Sequence, residues 1–171
     1  MGRQSCKNHL RYTVRKIGVK MKSKYLILML LFLVGLTAGC AYAITAPIGN
    51  DLTFEAPEHY TVVQQGANFS YLENDSTHAV RVCEAENLPS ENQLVENYQS
   101  AFTVKNHDTI KENGTEIAYV HFIDGNDQIY TYVWKFDDYN IMAVYGYPAS
   151  EPATEWADSP VKMIHDTMVE L

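Results

Sequence analysis

The apolar positions of this chain change period several times, and each change marks an element. Leu52-Thr53-Phe54 reads as a short strand that Pro57 stops. An extended pattern resumes over 59–64 and ends at Gln65-Gly66. Residues 69–72 and 79–84 read as a strand pair around the polar turn 73–77. The spacing then switches. Within 91–103, Leu94, Val95, Tyr98, Ala101 and Phe102 recur as on one side of a helix, and Ser90 with Gln93 makes a capping box. Four more strands are predicted at 109–112, 115–123, 128–136 and 141–147. Their links are Asn113-Gly114, Asp124-Gly125-Asn126-Asp127 and Asp137-Asp138-Tyr139-Asn140, all turn-forming. Links this short imply an antiparallel meander. Residues 148–159 carry two prolines and read as a loop. Ser159-Pro160 then opens a closing helix, with Val161, Ile164, Met168 and Leu171 along one stripe. The order β-β-β-β-α-β-β-β-β-α predicts an α+β domain, an antiparallel sheet meander with helices packed on it.

The region before the first strand follows a different logic. Residues 26–36, LILMLLFLVGL, form an unbroken apolar run behind Lys22 and Lys24, with Thr37, Ala38 and Gly39 after it. A basic segment, an apolar segment and a small-residue exit are the parts of a secretory signal. The run is short for a membrane span of about 20 residues, although 25–43 would reach that length as an uncleaved anchor. Met21 begins a complete signal by itself, so the start is expected either there or at Met1 with residues 1–20 as a long cytoplasmic basic segment. Two exits compete. Ala41-Tyr42-Ala43 is an A-x-A site with cleavage before Ile44, and Thr37-Ala38-Gly39-Cys40 resembles a lipobox that would place a lipid on Cys40. The lipobox position that usually holds Leu is Thr37 here, which favours the A-x-A site.

Charge sharpens this division into a leader, 1–43, and a single acidic exported domain, 44–171. The leader holds eight bases and no acid, while the domain holds all 21 acids against five bases, a formal charge of −16. Phosphate binding needs a basic surface, so nucleic acid is not an expected partner. The membrane is expected to be touched only through the leader or a lipid anchor. Cys83 is the single cysteine of the domain, so the fold must rest on its core without an internal disulfide. Three sequons, at Asn68, Asn74 and Asn113, would be acceptors only after export, and each is short enough to arise by chance.

The opening Phe54-Glu55-Ala56-Pro57-Glu58-His59-Tyr60, a helix followed by a long meander, and the closing amphipathic segment 161–168 together resemble the PsbP-like family. The founding member of that family is an extrinsic subunit of photosystem II. The resemblance covers nearly all of 44–171 and implies an α/β/α sandwich around an antiparallel sheet. It implies no common catalytic site, and no functional residue carries over.

Candidate chemistry is sparse. No phosphate-binding, dinucleotide-binding, nucleophile-elbow, zinc-protease or C-x-x-C motif occurs. Cys83 would need a His and an acid to act as a nucleophile. His59, His78, His107, His121 and His165 are candidates for a metal or catalytic role without a recognised spacing. Asp124, Asn126 and Asp127 lack the loop of a calcium site and read as a hairpin turn. No catalytic residue, cofactor or metal is therefore expected. The strongest feature is aromatic: Tyr130, Tyr132, Trp134 and Phe136 fall on one face of a strand, with Tyr145 and Tyr147 on the next. If exposed, Tyr130, Tyr132 and Trp134 would form a binding face; if covered, they are the core under a helix. The expected function is non-enzymatic binding of an unknown protein or cell-envelope component. The rival is a small extracytoplasmic hydrolase, which a cleft holding Cys83, or two carboxylates beside a histidine, would favour.

Overall fold

A computed structural model describes residues 44–74 and 77–171. The leader, with Cys40 and both cleavage exits, lies outside the described residues.

The chain runs β1 (Thr45–Ile48), β2 (Leu52–Glu55), β3 (Thr61–Gly66), β4 (Phe69–Asn74) and β5 (His78–Glu84), then helix α1 (Glu91–Gln99). Next come β6 (Thr103–Glu112), β7 (Thr115–Asp124), β8 (Asp127–Phe136) and β9 (Tyr139–Pro148). A 3-10 turn at Trp156–Asp158, helix α2 (Pro160–Thr167) and the short β10 (Val169–Glu170) close it. Seven strands form one antiparallel sheet in the order β3-β4-β5-β9-β8-β7-β6, and β1-β2-β10 form a second, small sheet. Two meanders thus meet where β5 pairs with β9, Val82 lying opposite Ala143.

Alternation along the strands sorts the side chains into two cores. Leu72, Val80, Val82, Tyr132, Trp134, Ile141 and Ala143 point to one face, where they meet Leu52 and Phe54 of the small sheet and Val161 and Ile164 of α2. Val120, Phe122 and Val133 point to the other face, where Leu94 of α1 lies over them with Tyr98 and Phe102 against it. The helix caps are the expected ones. The Ser90 hydroxyl accepts from the Gln93 amide, and the Gln93 side chain accepts from the Ser90 amide. The Ser159 hydroxyl accepts from the Val161 amide at the start of α2.

The α/β/α sandwich, and with it the expected α+β balance, is overturned: the domain is mostly antiparallel sheet. Among the described residues helix is confined to nine residues in α1 and eight in α2, beside the 3-10 turn, so neither face carries a helical layer. Much of one face is covered by the small sheet instead, because β1 and β10 find β2 as a partner. The first helix also stops four residues short of the predicted boundary. Residues 100–102 turn the chain, the Phe102 amide bonding the Tyr98 carbonyl, and β6 begins at Thr103 rather than Thr109. That early half of β6 reads Thr-Val-Lys-Asn-His-Asp, with exposed residues on both faces, so alternation carried no strand signal there. The last helix ends at Thr167, and Leu171 is 76% exposed rather than on its stripe.

Candidate functional site

Across β7, β8, β9 and β5 the register sets aromatic rings side by side. His121 pairs with Tyr130, Tyr130 with Tyr145, Tyr119 with Tyr132 and Gln128 with Tyr147. The rings stack nearly parallel: His121 on Tyr130 at 4.1 Å and 4°, Tyr130 on Tyr147 at 6.1 Å and 9°, and His78 on Tyr147 at 5.7 Å and 14°. Such cross-strand pairs stabilise a sheet. They also occupy the flat ring faces, leaving edges and polar tips to look outward.

Those tips hold the loop that follows β9. The Tyr147 hydroxyl accepts from the Thr154 amide at 2.8 Å and donates to the Pro152 carbonyl at 3.3 Å. The Gln128 amide donates to the Glu151 carbonyl at 2.6 Å. The Asn126 carbonyl, in the β7–β8 turn, accepts from the Ala149 amide at 2.7 Å. At the loop's far end the Trp156 indole donates to Glu112, which also accepts from Lys162 at 2.6 Å. A proline-broken loop is therefore held against the sheet, because side chains of the strands satisfy its backbone.

Between this loop and β6 lies a cleft of about 750 Å³. Its floor is Tyr119, His121 and Tyr130; its walls include Asn106 and Asp108 of β6 and Thr154 and Trp156 of the loop. His121 is 6% exposed, and its Nε2 has no hydrogen-bond partner. An unsatisfied buried polar atom costs about 1–3 kcal/mol. Burial holds the imidazole pKa below the usual histidine range, with a hydrogen bond between the ring and the Gln128 side chain pulling the other way and the Lys105 charge adding to the depression. Burial thus favours the neutral ring. Burial likewise raises the Tyr130 and Tyr132 phenols far above the ordinary tyrosine range. Tyr119 moves up through burial first and the nearby Asp108 and Glu155 carboxylates second. Its hydroxyl accepts from the Asn106 amide at 2.9 Å. The cleft therefore presents neutral hydrogen-bonding groups on a partly apolar floor, with charges at its rim.

The aromatic stripe is covered: Tyr130, Tyr132 and Trp134 are 4%, 1% and 0% exposed, so they do not form an exposed face. Trp134 lies near α2, its ring edge-on to His165. Tyr130 and Tyr132 nevertheless line the cleft. Cys83 sits half-buried on β5, alternating with the inward Val80 and Val82 and so facing away from the cleft. Burial raises its thiol pKa, against the Arg81 charge. The other histidines are dispersed, with His78 bonding Glu151 at 3.0 Å, His107 bonding Glu91 at 2.6 Å and His165 bonding Asp166 at 3.0 Å. Among the described residues no group of three His, Cys, Asp or Glu is placed to hold a metal ion. None of their helices is long and apolar enough to cross a membrane. Sequence reasoning considered His121 only as one of five dispersed histidines. The two-residue turn Gly125-Asn126 was the signal available, since it sets His121 opposite Tyr130.

No family model matches the chain, and no curated protein matches it. A solved structure of a protein from Bacteroides thetaiotaomicron is similar at 12% identity with a TM-score of 0.44, over 70% of this chain and 45% of that one. The chain therefore spans less than half of that protein's length.

Proposed function

We infer that residues 44–171 are an exported, non-enzymatic binding domain whose site is the cleft between β6 and the 149–156 loop. The observation that carries this reading is His121, a buried imidazole on the cleft floor whose Nε2 has no hydrogen-bond partner. A binding site commonly combines an apolar floor with a few convergent polar groups left for the ligand. The occupant is a small polar molecule rather than a flat protein surface, because the aromatic stripe that would dock a protein is covered. Export is supported by the leader, whose basic and apolar segments are those of a secretory signal.

The hydrolase alternative is less well supported. Cys83 is remote from the cleft, and among the described residues no hydrogen bond joins His121 to a carboxylate. An acid–base pair needs that contact.

Two-dimensional amide NMR of residues 44–171 tests the reading. Free amino acids, short peptides, small saccharides and polyamines are added in turn. At least one class should shift resonances of Asn106, Tyr119, His121 and Thr154 together. Shifts centred elsewhere, or none with any class, would overturn the assignment of this cleft.

A further inference from the structure

The cleft has two unlike ends, and strand register orders them. Lys105 stands at the end marked by Ile123 and Gln128, which pair with each other. In the middle Asn106 lies opposite His121, and His121 opposite Tyr130. Asp108 lies opposite Tyr119 at the far end, where Glu155 and Trp156 enter from the loop.

A β-bulge produces the first end. The register slips between Val104 and Asn106, so Lys105 is an extra residue in β6. Val104 packs under α1, while Lys105 and Asn106, consecutive in sequence, both line the cleft. In an unbroken strand, alternation from Asp108 and Asn106 would turn Lys105 to the opposite face. Bulges commonly re-aim a side chain beside a functional site in this way.

The charges are available. Glu151 also borders the cleft, but its carboxylate is engaged by His78 at 3.0 Å. Among the described residues Lys105 and Glu155 are in no ion pair, and Asp108 accepts only from the adjacent Thr109 amide. A cation and two carboxylates thus stand at opposite ends of about two and a half steps of paired strand, a backbone separation of about 8 Å at roughly 3.3 Å per residue. Between them lie an amide, a phenol and the unpartnered His121 nitrogen.

An extended peptide advances about 3.3–3.6 Å per residue, so two or three residues span this interval with an ammonium at one terminus and a carboxylate at the other. Its internal N–H and C=O groups need the neutral partners that the middle offers. We propose that the cleft binds a short zwitterionic peptide of two or three residues, its carboxylate toward Lys105 and its ammonium toward Asp108 and Glu155. This rests on the reading of the cleft as a ligand site and adds the class of ligand.

Calorimetric titration with trialanine, N-acetyl-trialanine and trialanine amide tests it at low salt, with maltotriose as a neutral probe of similar length. Amide NMR on the same samples locates each probe and reports the fold of each variant. Trialanine should bind with shifts at His121, and blocking either terminus should weaken it about tenfold, as losing a charge-assisted hydrogen bond does. Lys105→Met should weaken trialanine severalfold yet leave trialanine amide unchanged. Asp108→Asn should weaken trialanine while leaving the N-acetyl form unchanged. Equal affinity of free and blocked peptides, or equal losses of free and blocked forms in these variants, would overturn the proposal. Maltotriose shifting His121 while trialanine does not would keep the cleft as a ligand site and overturn the peptide class. No probe shifting His121 would overturn both.

Discussion

One face of the large sheet is sealed over its middle and open toward one end. Over β4, β5, β9 and part of β8, the small sheet and α2 press on Leu72, Val80, Val82, Trp134 and Ile141, all fully buried. Over β6 and β7 the same face carries Asn106, Asp108, Tyr119 and His121, which line a cleft beside the loop, and only the loop's end, through Trp156, packs down on Tyr132. The difference lies in what each cover offers. α2 brings an apolar stripe, Val161 and Ile164, which is stabilised by burial. The loop brings backbone amides and carbonyls, which need polar partners and take them from Tyr147 and Gln128. An apolar cover closes down on its face; a polar one is held by a few hydrogen bonds and leaves a cleft beside it.

The largest effect should come from the sealed half. Trp134→Ala should cost about 3–5 kcal/mol, the range for an aromatic removed from a packed core, read from thermal or urea melts. An unchanged melt would mean that this half is not closed. Trp134→Phe should cost much less, since the buried indole nitrogen has no hydrogen-bond partner to lose.

The loop's attachment comes next. Tyr147→Phe keeps the stacked ring but removes the hydroxyl that joins the Thr154 amide to the Pro152 carbonyl. A loss of about 1–3 kcal/mol is expected, with faster proteolysis confined to 149–158. Unaltered cleavage there would show that the phenol does not hold the loop.

His121 should respond in the opposite sense. His121→Phe keeps a ring against Tyr130 and removes the unsatisfied nitrogen, so stability at neutral pH should hold or rise by about 1 kcal/mol. The sign of the pH effect follows from burial. The folded pKa lies below the unfolded value of 6.5, so the unfolded chain takes up the proton first. The contribution of the neutral His121 is present above pH 6.5 and is lost as the pH falls below it. Melting temperatures between pH 7.5 and 5 should show a decline that His121→Phe flattens; parallel curves would sink this account.

The smallest effect belongs to the charged cluster beneath the loop's end. Hydrogen bonds from Lys162, and then from Trp156, lower the Glu112 pKa, and a hydrogen bond from Lys162 lowers that of Asp166. Both carboxylates therefore contribute stability above their unfolded pKa values, and lose it as the pH falls through the folded ones. Lys162→Met should cost under about 1 kcal/mol at pH 7, as partly exposed pairs do, and the cost should vanish in strong acid.

Much of the sheet could be read from the residues. The turns Asn113-Gly114 and Gly125-Asn126 and the alternation in β7, β8 and β9 place those strands as a meander, and the Ser90 and Ser159 caps mark both helix starts. The aromatic stripe was visible too, but not its cover. Period 2 separates a strand into two faces without saying what lies on either. The early half of β6 carries no strand signal because Val104 is its single apolar residue and the bulge breaks the alternation after it.

What the sequence by itself determined is therefore local: which segments turn, which alternate, where helices start, and which side chains share a face. Turn chemistry and periodicity act over a few residues, so a few residues suffice to read them. The joining of β5 to β9, the pairing of β1 and β10 on β2, and the posture of the 149–156 loop are tertiary decisions. So is the cleft. The bulge that turns Lys105 toward it appears only when β6 takes its register on β7, and the burial of His121 only when Tyr130 stacks against it. Each depends on contacts between residues distant in the chain, where competing pairings differ by packing and hydrogen bonding that no single segment contains.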